Sequence, residues 1–266
     1  MRQAIAGLEA GLGQGKLEVV CVPEFGPQGE EELRRVRNRR PRLLIALGTP
    51  ALLRVAPAEK KAPVIFALVA NPYFTGAAYE PEKPEIHQEN LTGIASPPPL
   101  SEALEQGASL LGRRAWGLLY DPNDGAAVEL KERFLNEAPA YRIKPLTAPS
   151  SDQATDRQGL ESLRAQGARV IYLAPAASAA RYAPLILDWG KKRRVMVVSG
   201  NPEFHQGALL WVTLDYRQLG EETAALAKRV LNGEPPAKIP IAEKTPIKVQ
   251  VDEKLLRHWS GYPGPT

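Results

Sequence analysis

The sequence predicts an α/β protein built on parallel sheets, and three observations carry that expectation. Strand-like and helix-like segments alternate almost from end to end. Many of the strand-like segments are apolar at every position, as strands covered on both faces must be. Each then runs into small, polar or proline residues that stop a strand and open a turn or helix.

Taken in order, MRQAIAGLEAGLG has apolar residues at helical spacing and LEVVCVP (17 to 23) reads as a strand, followed by a helix near 28 to 39. RLLIALG (42 to 48) is the next strand, and Gly48-Thr49-Pro50 ends it. Thr49 suits an N-cap and Pro50 a first helical position, so a helix over 50 to 56 would leave free N–H groups pointing past the strand tip, a ready anion site. PVIFALV (63 to 69) is a strand, whereas residues 71 to 90 hold three prolines and several charges without periodicity and read as a long loop. Beyond it come strands at 90 to 96, 114 to 120, 141 to 147, 169 to 175, 194 to 200 and 208 to 215. Helices are expected near 100 to 111, 125 to 136, 155 to 166, 178 to 190 and 216 to 231. In the last, Leu219, Thr223, Leu226 and Val230 repeat at helical spacing and Gly233 stops it.

Nine strand candidates are too many for one comfortable open sheet, so two doubly wound parallel-sheet lobes are expected. With chain crossings near 90 to 96, 206 to 215 and 235, the first lobe takes residues 1–92 plus 214–236 and the second 93–213 plus 237–266.

Composition bounds the function. At 266 residues, 44% hydrophobic and 24% charged, the chain is ordinary for a globular protein with two modest cores. No run of 18 apolar residues exists to span a bilayer, and the N-terminus lacks the continuous apolar stretch of a signal peptide. The net charge of +4 does not argue for nucleic acid, because the basic residues fall in short clusters such as 34 to 40 and 191 to 194 that read as solvated faces. Cys21 sits inside a strand-like run and is expected to be a buried small hydrophobe. With three isolated histidines and no CxxC or HxxxH spacing, no metal site is expected. No GxSxG elbow, phosphate loop or GxGxxG fingerprint follows a strand, and His205 in NPEFHQG has no evident acidic partner for catalysis. Neither a catalytic residue nor a cofactor is therefore assigned.

In open α/β sheets, ligands bind beyond the carboxyl ends of the strands. Those ends read Gly48-Thr49-Pro50, Ala70-Asn71-Pro72-Tyr73, Tyr120-Asp121-Pro122-Asn123-Asp124, Pro175-Ala176-Ala177-Ser178, Ser199-Gly200-Asn201-Pro202 and Asp215-Tyr216. Each is good turn chemistry alone; together they are expected to line an interlobe cleft. Thr49 with its helix N-terminus can receive a carboxylate, Asp121 or Asp215 an ammonium, and Tyr73, Tyr120 or Tyr216 can cover an apolar group. An amino acid or similar zwitterion would satisfy this set. For Asp215, capping the following helix and contacting a ligand are both open, and Asn71 and Asn123 adjoin prolines as turn residues do.

PVIFALVANP, NLTGIASP, GRRAWGLLYDPND, RVIYLAP and, above all, GALLWVTLDYRQLGEETAALAKRVLNGEPPAKIPI carry a further signal. They resemble the ABC-transporter substrate-binding proteins that include the tryptophan- and tyrosine-binding lipoproteins, over about residues 41 to 250. The resemblance implies a type I periplasmic-binding-protein fold, two α/β lobes with a small molecule held between them, and delivery of that ligand to ABC permease subunits outside the cytoplasmic membrane. The ligand-binding positions it implies are Thr49, Asn71, Asp121, Asn123 and Asp215 with the tip at 175 to 178, and amino acids as the ligand class; joined to the strand-tip reading, the expected ligand-binding set is Thr49, Asn71, Tyr73, Asp121, Asn123, Ser178 and Asp215. The family's usual first strand has no counterpart here, since the chain enters at the following helix, and Ala70-Asn71 and Ala176-Ala177 stand where relatives are more polar. A sensory or regulatory ligand-binding domain of the same fold is the alternative, and an enzyme a third.

Overall fold

The computed structural model describes residues 1–13, 15–22 and 26–260, the side chains of 258–260 excepted. In chain order the elements are α1 (Arg2–Leu12), α2 (Pro27–Asn38), β1 (Leu44–Leu47), α3 (Thr49–Ala58), β2 (Val64–Val69), β3 (Leu91–Ala95), α4 (Leu100–Leu111), β4 (Ala115–Tyr120), α5 (Gly125–Glu137), β5 (Lys144–Pro149), α6 (Gln153–Ala165), β6 (Val170–Leu173), α7 (Ala179–Arg193), β7 (Met196–Ser199), β8 (Leu210–Leu214), α8 (Tyr216–Leu231), β9 (Ile247–Val251) and α9 (Glu253–Ser260). They divide into two compact units, Met1–Pro97 with Leu214–Pro246, and Pro98–Thr213 with the chain from Ile247 onward.

The first unit holds a parallel sheet in the order β1-β2-β3. One face, with Phe66 and Leu91, packs on Leu52 and Ala56 of α3; on the other, Ile65 and Ile94 meet Leu219, Leu226 and Val230 of α8. α1 lies against α8 at very short range, because Gly7 and Gly220 supply no side chain: a Cβ on Gly220 would stand 2.1 Å from the Ala4 carbonyl oxygen. The β3 edge is closed by Ala242, which receives the Ala95 N–H at 2.8 Å and donates to Gly93 at 2.9 Å.

The β1 edge has no strand beside it among the described residues, and the expected strand at 17 to 23 does not form over the residues described. An apolar run becomes a strand only when a neighbour takes its N–H and C=O groups. Without one, Leu17–Val22 stays outside any sheet, with Val19 50% exposed. Cys21 is exposed there as well, which corrects the expectation of a buried thiol. Pro23 lies outside the described residues.

The second unit is a six-stranded sheet ordered β5-β4-β6-β7-β8-β9, parallel from β5 through β8. Period-two alternation sends Trp116, Leu118, Val170 and Tyr172 to the face covered by α4 and α5, and Leu119, Ile171 and Leu173 to the face covered by α6 and α7. Both faces are buried, which is why these strands read as continuous apolar runs. β9 and α9 had no counterpart among the sequence expectations: β9 is a half-polar edge strand, Ile-Lys-Val-Gln-Val, with four of its five residues exposed.

Candidate functional site

The strand order reverses around β4, whose chain first crosses to β5 and then returns to its other side at β6. Outside such a reversal the two connections diverge and leave a crevice at the carboxyl ends of the central strands. Asp121–Asp124 and Pro175–Ser178 are the residues that leave β4 and β6 there. They are joined directly, the Ser178 N–H donating to Asp124 Oδ2 at 3.0 Å while Asp124 Oδ1 caps α5 through the N–H groups of Ala126 and Ala127. Burial works to raise the Asp124 carboxyl, but the backbone N–H groups of Ser178, Ala127 and Ala126 hold it below the usual carboxylate range.

Asp121 is not free to receive a ligand cation unaided. Its Oδ1 accepts the Asn123 N–H at 2.9 Å, and its Oδ2 accepts from Arg181 at 3.2 Å. The guanidinium of Arg181, in the first turn of α7, also donates to Asp156 at 2.8 Å and to the Ser150 carbonyl at 3.0 Å, and the Ser150 hydroxyl bonds Asp156. Asn123 is exposed. Behind this network lie two buried hydroxyls without hydrogen-bond partners, Ser178 Oγ and Tyr182 OH. Burial pushes the Tyr182 phenol up to about 12, so it remains a donor at neutral pH. At the β7 tip, Asn201 Oδ1 accepts from Glu203 and Phe204, and its carbonyl receives the Trp211 indole N–H at 2.9 Å, with His205 stacked on that indole at 4.3 Å between centroids.

In the first unit the three parallel strands end side by side. Gly48, not Thr49, is the N-cap of α3, with φ of 92°, a left-handed value that favours glycine; the Thr49 hydroxyl caps nothing, and its N–H belongs to the open first turn. Next to it β2 carries a bulge at which Leu68 takes φ of 59°, turning the chain just before the Ala70–Tyr73 tip. Asn71 Oδ1 accepts the Tyr73 N–H at 3.1 Å, an Asx turn. The Tyr73 hydroxyl donates to Glu243 at 2.9 Å; burial and this acceptor push the phenol up to about 12. Asp215 caps α8, accepting the Gln218 N–H at 3.0 Å.

Thr49, Asn71 and Tyr73 therefore follow neighbouring parallel strands of the first unit, to which Asp215 also belongs, and Asp121, Asn123 and Ser178 lie at the tips of β4 and β6 in the second. Sequence reasoning missed Arg181, Ser150, Asp156 and Tyr182. The one signal for Arg181 was its position three residues beyond the Ser178 tip, inside a first helical turn. Among the described residues no cluster of His, Cys, Asp and Glu is arranged to hold a metal ion, and no helix is long and apolar enough to cross a membrane.

The fold recurs in solved structures. A conserved domain protein from Vibrio cholerae matches with a TM-score of 0.72 at 21% identity, covering 99% of this chain and 91% of that one. An ABC domain in complex with L-Trp from Streptococcus pneumonia matches at 0.68 and 19%, covering 99% and 92%. A ligand-free, open substrate-binding protein with adhesive properties from Clostridium difficile matches at 0.78 and 20%, covering 100% and 92%. No curated protein is significantly similar to the chain. Residues 30–259 match the family model described as ABC transporter substrate binding protein. With parallel sheets like those of type I periplasmic-binding proteins and a family match over most of its length, the chain belongs to the ABC transporter substrate-binding protein family.

Proposed function

We propose that this protein is the extracytoplasmic substrate-binding component of an ABC transporter, that it binds a small amino-acid-like molecule, and that it passes the ligand to permease subunits. Recognition is assigned to the strand tips of both units: Thr49, Asn71, Tyr73 and Asp215 from the first, Asp121, Asn123 and Ser178 from the second. The observation that carries this reading is the reversal point between β4 and β6, where two buried hydroxyls, Ser178 Oγ and Tyr182 OH, stand without partners beside an ionised Asp124. A buried hydroxyl left unpaired costs stability, and a ligand donor or acceptor there would relieve it. The L-Trp bound in the streptococcal structure supports the ligand class, although the identity to that chain is 19%.

The test is calorimetric titration of the purified chain with a panel of amino acids and small carboxylates, preceded by native mass spectrometry to detect a co-purified ligand. A saturable signal for one class is expected, and Ser178→Ala should weaken it about three- to tenfold, the worth of one hydrogen bond. Silence across the panel from folded protein with no bound mass would overturn the proposal.

A further inference from the structure

The opposite end of the second unit carries a different pattern. Because β5, β4, β6 and β7 run parallel in adjacent positions, the residues preceding each strand collect at one end of the sheet. The ladder fixes their alignment: Lys144 N–H donates to the Arg114 carbonyl at 3.3 Å, Arg169 N–H to Ala115 at 2.9 Å, and Met196 N–H to Arg169 at 3.0 Å. Arg142 and Lys144 thus lie beside Arg113 and Arg114, these beside Arg169, and Arg169 beside Arg193 and Arg194, a basic row about 14 Å long at ordinary strand spacing. All are exposed except Arg114, which is half-buried.

Little acid answers them. Glu161 pairs with Arg193 at 3.2 Å and Arg164 at 3.8 Å, and Asp188 pairs with Lys192 at 2.7 Å. Among the described residues, Arg113, Arg114, Arg142, Lys144, Arg169 and Arg194 form no ion pair. Arg142 and Arg194 hold left-handed φ values of 57° and 54°, a conformation that favours glycine, yet each is a cation following a helix C-terminus. Ser109, Arg113, Tyr141 and Arg142 line an open surface depression of about 330 Å³ at the same end, a volume larger than a phosphate group.

We propose that this basic end of the second unit docks on an anionic phospholipid surface, with a headgroup phosphate seated between Arg113 and Arg142. Several unpaired cations in one row match the multivalent, laterally mobile charge of such a bilayer. A single-stranded nucleic acid is the poorer fit, because Tyr141 is the one aromatic lining the depression and a stacking platform needs several, and a duplex is left to the competition arm of the test. The attachment leaves the strand tips at the other end of the same sheet unoccupied.

The test is co-sedimentation of the full chain with vesicles of phosphatidylcholine alone and of equal parts phosphatidylcholine and phosphatidylglycerol, over a range of salt concentrations. Binding only to the anionic vesicles is expected, with progressive loss as salt screens the charges. Each cation removed should weaken partitioning about fivefold, so Arg142→Ala/Lys144→Ala/Arg169→Ala together should cost about a hundredfold. Arg142→Gly, which relieves its backbone conformation and so preserves folding, should cost about fivefold alone. Removing three exposed cations of the first unit, Arg34→Ala/Lys228→Ala/Lys238→Ala, should change partitioning by no more than about twofold. The proposal is overturned by absence of binding to anionic vesicles at low salt, by equal losses in the two triple variants, or by duplex DNA displacing the vesicles at equal phosphate concentration.

Discussion

Arg181 and Asp156 are the residues on which the β4 and β5 tips depend. Asp156 is 1% exposed, and its carboxylate meets the Arg181 guanidinium and the Ser150 hydroxyl. Removing one partner of a buried pair leaves the other without compensation, so Asp156→Asn should lower unfolding stability by about 3 kcal/mol. Arg181→Met should do likewise, while the double variant should cost less than the sum, as chemical denaturation of all three proteins will measure. Asp215 answers a different question. Its carboxylate caps α8, so Asp215→Ala should cost about 1 kcal/mol of stability; an accompanying rise in ligand Kd would show that it also touches the ligand, and an unchanged Kd would leave it a cap. At this scale the sequence was legible where partners are local. The Asn71 turn, the Asp215 cap and the Asn123 contact are all within three residues of their partners. The Asp121, Ser150, Asp156 and Arg181 network spans 60 residues of chain, and only the fold reveals it.

Among the elements, α1 and α8 show how a backbone contact can decide a sequence. Gly7 and Gly220 let the helices approach until a Cβ on either would stand 2.1 Å from a carbonyl oxygen of the other helix, so Gly220→Ala must force them apart. Overpacking of this kind costs about 1 to 3 kcal/mol, and a lowered thermal midpoint should report it. Gly125→Ala is the matched comparison: its Cβ would meet nothing within 4 Å in the first turn of α5, and it should be neutral or stabilising by up to about 1 kcal/mol. Elements with strong periodicity were legible, α4 and α8 to the residue. β9 was not, because five residues of half-polar alternation look like any exposed loop, and Leu17–Val22 misled because apolar character says nothing about whether a ladder partner exists.

For the whole molecule, the two parallel sheets and the polar carboxyl-end tips were both legible, because strands buried on two faces and turn-forming ends leave plain marks in sequence. The basic end of the second unit was not. Its residues fall in four separate places along the chain and read as scattered solvated clusters until the register aligns them. Both units share one acid liability. In the first, burial works to raise the Glu59 carboxyl, but the N–H groups of Ala62 and Lys61 together with Arg37 hold it below the usual range; Asp124 is depressed in the second. A depressed carboxyl stabilises the fold fully above its unfolded pKa, about 4, and loses that contribution as pH falls through the folded value. Stability should therefore be flat from neutrality to about pH 5 and decline below about pH 4, and Asp124→Asn should flatten the decline. Denaturant midpoints across that range will check it.

The α1 and α8 contact also dictates an order of birth. Ala4 and Leu8 leave the ribosome ahead of Pro98–Thr213, and their cover, Leu219 to Val230, only after the whole of that segment has emerged. The second unit's central stretch is continuous and can condense as it appears; the first must wait with apolar surface uncovered until that stretch has passed and α8 follows. Its assembly is thus the later half of the nascent chain's maturation.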